Sequence, residues 1–292
     1  MKNSTLPGKL RDLLHCLLPS SALGIAMKTG CSRCHCERAF LSQRSLRRLL
    51  LPVAALLPAF SLYADSLNVA VASNFTYTLK LLSEDFSRQS AHELRIISAS
   101  TGKLYTQIQH GAPFDVFMAA DEKHPELLLS ENRADHVSAY VYATGRIVLL
   151  SNLTPVTTCR DVLVSPELNR LSIANPKTAP YGVAAKQVLQ RLSLWQQLEP
   201  KIVMGENIAQ ALQFVTTQNA QAGFVASSML SMGKAIDYAC AWDVPADLYS
   251  PIRQEMVLLN RAKDNIAARD FMRYMQSEKA KEIIKASGYG IM

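Results

Sequence analysis

No stretch of this 292-residue sequence is both long and apolar enough to read as a permanent membrane span. The apolar run Leu49 to Leu62 would reach about 21 Å as a helix, against a hydrocarbon core of roughly 30 Å, and Pro52 and Pro58 weaken it further. Low-complexity tracts, a collagen period and solenoid repeats are all missing, which excludes fibrous and repeat architectures. Gly-x-Ser-x-Gly, His-Glu-x-x-His and Gly-x-Gly-x-x-Gly are also missing, so the common hydrolase, metalloprotease and dinucleotide signatures do not apply. Gly102-Lys103 ends like a phosphate-binding P-loop, but Ile97 stands where that motif needs its first glycine. His92, His110, His124 and His136 are scattered without metal-ligand spacing and are expected at the solvated surface.

A net charge of +7 suggests a search for nucleic-acid or anionic-membrane contacts, but the excess is confined to one end. Nine of the 31 Lys/Arg and two of the 24 Asp/Glu fall within residues 1–64, leaving the remainder balanced at 22 of each. No nucleic-acid partner is expected. In that leader, Arg44, Arg47 and Arg48 precede the apolar run and Tyr63-Ala64-Asp65 follows it, the layout of a signal peptide with cleavage after Ala64. Residues 1–64 are therefore read as a discarded leader, with Met27-Lys28 offering a second, more typical start. Arg47-Arg48 follows Leu46 rather than Ser or Thr, which favours general secretion over the twin-arginine route.

Cysteine is as unevenly spread. Cys16, Cys31, Cys34 and Cys36 lie in the leader, where Cys31-x-x-Cys34-His35-Cys36 resembles half a zinc site but reads as a chance cluster. Cys159 and Cys240 remain in an oxidising compartment, and either a disulfide or two buried thiols is compatible with their spacing.

What the chain does contain is an alternation of short β-branched runs and amphipathic stretches. Strands are expected at Leu67–Ala72, Leu94–Ile97, Val116–Ala119, Ile147–Leu150, Ser172–Ala174, Gly223–Val225 and Met256–Leu259. Between them lie helical stretches such as Thr76 to Gln89, with Leu79, Leu82 and Phe86 on one face. This is an α/β pattern, which predicts mostly parallel sheets with ligands bound beyond the carboxyl ends of strands.

Four strand-to-helix loops fit such a site: Ala72-Ser73-Asn74-Phe75-Thr76, Ser98-Ala99-Ser100-Thr101-Gly102-Lys103, Pro180-Tyr181-Gly182 before a helix expected near Val183, and Gly205-Glu206-Asn207-Ile208. Each is expected to end in unpaired backbone N–H groups. A helix N-terminus carries about half a positive charge, so four pointing at one place nominally supply about two, enough for a dianion without any lysine. The hydroxyls of Ser73, Ser100 and Thr101 add donors, and a fully deprotonated oxyanion needs only donors. Any one loop alone reads as a helix cap; the set of four points to a site. A carboxylate receptor would be expected to carry an arginine fork, and Lys103 is the only basic residue in these loops. Asp115 and Asp121 flank an apolar strand and are expected to act as caps, since a carboxylate pair would repel a dianion.

From Asp65 onward the sequence resembles the periplasmic molybdate-binding proteins, a family within the type II solute-binding fold. The resemblance rests on Val69-Ala70-Val71-Ala72-Ser73-Asn74-Phe75, on Ala99 to Tyr105 running into Gly111-Ala112-Pro113-Phe114-Asp115-Val116-Phe117, and more weakly on Ala174-Asn175-Pro176, Pro180-Tyr181-Gly182 and Gly288-Tyr289-Gly290. It implies two lobes around a cleft, the first from residues 65–146 and 248–292, the second from 147–247. It also implies an oxyanion, molybdate or tungstate, held through its oxygens by Ser73, Asn74, Ser100, Thr101, Tyr181 and Ile208, with no direct protein–metal ligand, no catalytic residue and no other cofactor. The implied setting is a periplasmic monomer serving an inner-membrane permease with its cytoplasmic ATPase. One departure is visible: Ala226 follows Gly223-Phe224-Val225 where some members use a tyrosine. Another oxyanion or small anionic solute, or an enzyme built on the same two lobes, are the alternative readings.

Overall fold

Strand and helix alternate from Ser66 onward because apolar residues recur first every second and then every third or fourth position. The computed structural model describes residues 66–291 apart from 91, 155, 156 and 232–235, so the expected leader, its signal peptide and its cysteines lie outside the described residues. In chain order the elements are β1 (Ser66–Ala72), a 3-10 turn (Ser73–Phe75), α1 (Thr76–Ser90), β2 (Glu93–Ala99), α2 (Thr101–Gln109), β3 (Val116–Met118), α3 (Lys123–Ser130), β4 (Tyr140–Gly145) and β5 (Ile147–Ser151). They continue with β6 (Leu171–Ala174), α4 (Pro180–Arg191), α5 (Trp195–Leu198), β7 (Ile202–Gly205), α6 (Ile208–Thr216), β8 (Ala222–Ala226), β9 (Cys240–Asp243), β10 (Ile252–Leu258), α7 (Ile266–Tyr274) and α8 (Glu278–Ala286).

The strands form two five-stranded sheets, ordered β2-β1-β3-β10-β4 and β7-β6-β8-β5-β9. Both are mixed rather than mostly parallel as expected. In the first, β2-β1 and β1-β3 pair parallel while β3-β10 and β10-β4 pair antiparallel; the second repeats the scheme around β6, β8 and β5. The cause is topological. β5 and β10 are reached by passing from one sheet to the other instead of through a strand–helix–strand crossover, so they enter against their neighbours. Only Arg146 separates β4 of the first sheet from β5 of the second.

Helices cover both faces of each sheet, so the strands are apolar on both sides. In the first sheet Leu67, Val69 and Val71 pack with Leu79, Leu82 and Phe86 of α1 and with Phe271 of α7, while Ala70, Phe117 and Val257 face Leu104 and Ile108 of α2. In the second, Leu149, Ile173 and Phe224 meet Val188 and Leu189 of α4, and Val148, Leu150 and Val225 meet Val215 of α6. The alternation of Leu149 against Val148 and Leu150 is the two-residue period of a strand buried on both sides.

Cys159 and Cys240 are joined in a disulfide that ties the 3-10 segment Cys159–Val164 to β9 at the edge of the second sheet. Asp121 accepts from the Nδ1 and backbone N–H of His124 at the start of α3. Asp115 caps no helix: it accepts from the Asn68 N–H at 2.7 Å and lies 3.3 Å from Arg261, so it braces β1 instead. No helix among the described residues is long and apolar enough to cross a membrane.

Candidate functional site

The four loops meet. Ala72, Ser73, Asn74, Ser100, Thr101, Ala120, Ala179, Pro180, Tyr181 and Ile208 line one small cavity, with room for about one water-sized sphere. None of these residues is charged. All six residues anticipated at the site are buried around it. Two larger grooves, of about 360 and 330 Å³, lie elsewhere; the first mixes Arg88 and Lys279 with Glu84 and Asp85, and neither is lined by any of the four loops.

Each wall is a helix start. Ser73 and Asn74 occupy the 3-10 turn that leads into α1, with Ala72 at its N-cap. Ser100 is the N-cap of α2 in extended conformation, yet its hydroxyl makes no capping bond; Oγ is buried without a hydrogen-bond partner. A buried hydroxyl left unpaired costs about 1–3 kcal/mol unless something else satisfies it. Thr101 differs, because its Oγ1 accepts from the Ala120 N–H at 3.0 Å and keeps its own hydrogen to donate.

α4 begins at Pro180, three residues before the expected start near Val183. Proline at the first helical position has its φ already set and lacks an N–H that would otherwise be orphaned. Tyr181 thereby sits in the first turn, where its N–H has no intrahelical acceptor. Gly182 lets that turn seat on the end of β6, since a Cβ there would collide with the Ala174 carbonyl. Asn207 caps α6, its side chain accepting from the Gln210 N–H at 3.1 Å, and leaves Ile208 at the first helical position with an unpaired N–H.

Asn74 and Tyr181 direct their side chains differently from their backbones. The Asn74 amide nitrogen donates to Gln254 Oε1 at 2.8 Å and to Tyr289 Oη at 3.1 Å, which uses both of its hydrogens. The Tyr181 hydroxyl accepts from Gln254 Nε2 at 3.3 Å. Burial pushes the hydroxyls of Tyr142, Tyr181 and Tyr289 well above the usual phenol range, so this cluster is neutral. Gln254, Tyr142 and Tyr289 were not anticipated as part of the site. Gln254 lies two residues before the apolar run read as a strand, and a polar residue there looks like a solvated strand end.

Two contacts join the sides of the cleft beside the cavity. The Gly102 N–H donates to the Thr178 carbonyl at 2.9 Å, and Lys103 Nζ lies 2.8 Å from Glu206 Oε2, both side chains partly exposed. Lys103, the one basic residue of the four loops, is thus paired at the rim. Among the described residues no group of three or more His, Cys, Asp or Glu is arranged to hold a metal ion. The arrangement suits a small, fully deprotonated anion bound by neutral donors.

Comparisons with known proteins agree in kind. A family model described as bacterial extracellular solute-binding protein matches residues 67–290. The molybdate-binding protein ModA of Azotobacter vinelandii is 44% identical over 248 residues, covering 85% of this chain and 98% of that protein. ModA of Rhodobacter capsulatus is 38% identical over 226 residues, covering 77% and 88%. The solved structure of the periplasmic molybdate-binding protein of Azotobacter vinelandii superposes with a TM-score of 0.72 at 37% identity, over 77% of this chain and 99% of that one.

Proposed function

Because this chain belongs to the bacterial extracellular solute-binding proteins, alongside their molybdate-binding members, we propose that it captures molybdate, with tungstate as an equivalent ligand, and delivers it to an ABC importer. The observation that carries this reading is the meeting of four helix starts on one uncharged cavity. A dianion there gains from the helix dipoles and from unpaired N–H groups without a counter-cation.

In this reading Ser73, Ser100 and Thr101 donate their hydroxyls, and the backbone N–H groups of Asn74, Tyr181 and Ile208 complete the shell. The metal contacts no protein atom, since its own oxygens face the donors. Residues 65–146 and 248–292 act as one lobe and 147–247 as the other, with ligand favouring the closed arrangement because only there do both sets of donors reach it. The small uncharged cavity, with no arginine fork, favours a compact oxyanion over an organic carboxylate. No His, Lys, Cys or carboxylate lines it to activate the hydroxyls of Ser73, Ser100 and Thr101, which favours carriage over catalysis. The signal-peptide layout of residues 1–64 supports a periplasmic location, where the protein would act as a monomer presenting its closed form to an inner-membrane permease coupled to a cytoplasmic ATPase.

The test is a thermal-shift titration of residues 65–292 with molybdate, tungstate, sulfate and phosphate at matched ionic strength. Ligand at 100 times its Kd stabilises by about 2.7 kcal/mol. Stabilisation by molybdate and tungstate alone supports the reading, and stabilisation by sulfate as well widens it to general oxyanion capture. A flat response to all four ions sinks it.

A further inference from the structure

Directly behind the cavity lies a buried polar chain that touches both sides of the cleft. Gln254, at the β-bulge of β10, has no exposed surface. Its Oε1 accepts from Asn74 Nδ2 of the first loop at 2.8 Å and lies 3.2 Å from the Tyr142 hydroxyl of β4. Its Nε2 donates to Tyr181 of α4 at 3.3 Å. Gly145, the last residue of β4 before the passage to β5, leaves room for that hydroxyl, because a Cβ there would overlap Tyr181 Oη.

The direction of this chain is determined from one end. The Tyr289 hydroxyl gives its single hydrogen to the Asn74 backbone carbonyl at 2.8 Å. It can therefore only accept from the Asn74 side chain, which must turn its nitrogen toward Tyr289 and Gln254. Gln254 must then meet that nitrogen with its oxygen and present its nitrogen to Tyr181. Flipping Gln254 sets donor against donor at Asn74, and flipping Asn74 sets acceptor against acceptor at Gln254 and Tyr289.

We infer that Gln254 is a positioning residue for ligand capture: it holds the Asn74 and Tyr181 backbones at the spacing at which both bond one ion. This rests on the oxyanion reading above. Asn74 lies in the loop after β1 of the first sheet, and Tyr181 lies on a helix packed against the second. A single buried side chain thus spans the two halves of the donor shell without touching the ligand. A leucine at 254 keeps bulk but orphans Asn74 Nδ2, while a glutamate keeps bulk and acceptor oxygen, and matches the amide only when protonated.

The test is calorimetric titration of wild type, Gln254→Leu, Gln254→Glu and Tyr181→Phe with molybdate between pH 5.5 and 8, alongside ligand-free melting curves. Gln254→Leu is expected to bind at least tenfold more weakly. Gln254→Glu is expected to recover affinity as pH falls while wild type stays flat, a dependence that lost packing alone does not produce. Tyr181→Phe and Gln254→Leu are expected to be non-additive in affinity, because they remove the same link. Wild-type-like affinity in Gln254→Leu overturns the inference. Should that variant not fold, a pH-independent Gln254→Glu or an unaffected Tyr181→Phe overturns it instead. Failure of wild type to bind any oxyanion would count against the proposed function, and is thereby separable.

Discussion

The Gly102 N–H, one residue inside α2, donates to the carbonyl of Thr178, two residues before α4, so a backbone hydrogen bond bridges the cleft at the edge of the cavity. A Cβ on residue 102 would stand 3.2 Å from both Thr178 Cα and O, tighter than ordinary packing tolerates. Gly102→Ala is therefore expected to cost about 1–2 kcal/mol in the closed arrangement, or roughly five- to thirtyfold in molybdate affinity. The ligand-free melting temperature should change little. Titration calorimetry with a melting curve separates the two, and unchanged affinity would show that closure does not bring these residues together.

Ser100 offers the sharpest single-atom test, since its buried hydroxyl has no protein partner to lose. Ser100→Ala is expected to leave the fold as stable as before, or slightly more so. Losing one hydrogen bond to a charged ligand costs about 1.5–3 kcal/mol, which is roughly a ten- to hundredfold rise in Kd. Ser73→Ala with Thr101→Ala should also weaken binding. There the melting temperature should fall too, because the Ala120 N–H loses its acceptor.

Glu255 should make stability depend on pH. Burial, then the nearby Glu122 and Glu126, push its carboxyl up to about 7, against partial relief from Arg253. The folded state then holds a proton that the unfolded chain releases at the ordinary carboxylate value of 4.5. Stability is therefore full below about 4.5 and is lost as pH rises through about 7. Glu255→Gln should flatten melting temperature across that window and raise it at pH 8. Parallel slopes for both proteins would show that residue 255 does not carry the effect.

The disulfide closes a segment of 81 residues at the edge of the second sheet and does not line the cavity. Replacing Cys159 and Cys240 by serine should remove about 2–4 kcal/mol, seen as a melting temperature lower by about 5–15 °C. Molybdate affinity should survive at temperatures where the variant is folded. A large affinity loss there would tie the edge of the second sheet to the site.

Much of this was legible in the sequence, and the residues show where legibility ends. Leu79, Leu82 and Phe86 announce α1 by spacing alone, and small or hydroxyl residues mark the four helix starts. The pairing directions were not legible. Strands buried on both faces look alike whether parallel or antiparallel, so nothing local in Ile147–Ser151 or Ile252–Leu258 reveals that they enter reversed. The strands Tyr140–Gly145, Ile202–Gly205 and Cys240–Asp243 were missed because they carry polar residues or are short edge or near-edge segments. Gln254 was invisible for a related reason: its partners are 73, 112 and 180 residues away, and only the fold brings them within bonding distance.

The interleaving of β10 between β3 and β4 makes the first sheet depend on the C-terminal part of the chain for its completion. All five strands of the second sheet come from residues 147–243, a contiguous stretch that can complete itself once its last strand is available. The first sheet holds a vacant place between β3 and β4 until Ile252–Leu258 arrives, bringing Gln254 with it. These pairings close loops of more than a hundred residues and carry a correspondingly large closure entropy. The six donors of the proposed shell all precede β10 in the sequence, but the Gln254 brace between Asn74 and Tyr181 forms only once β10 is in place.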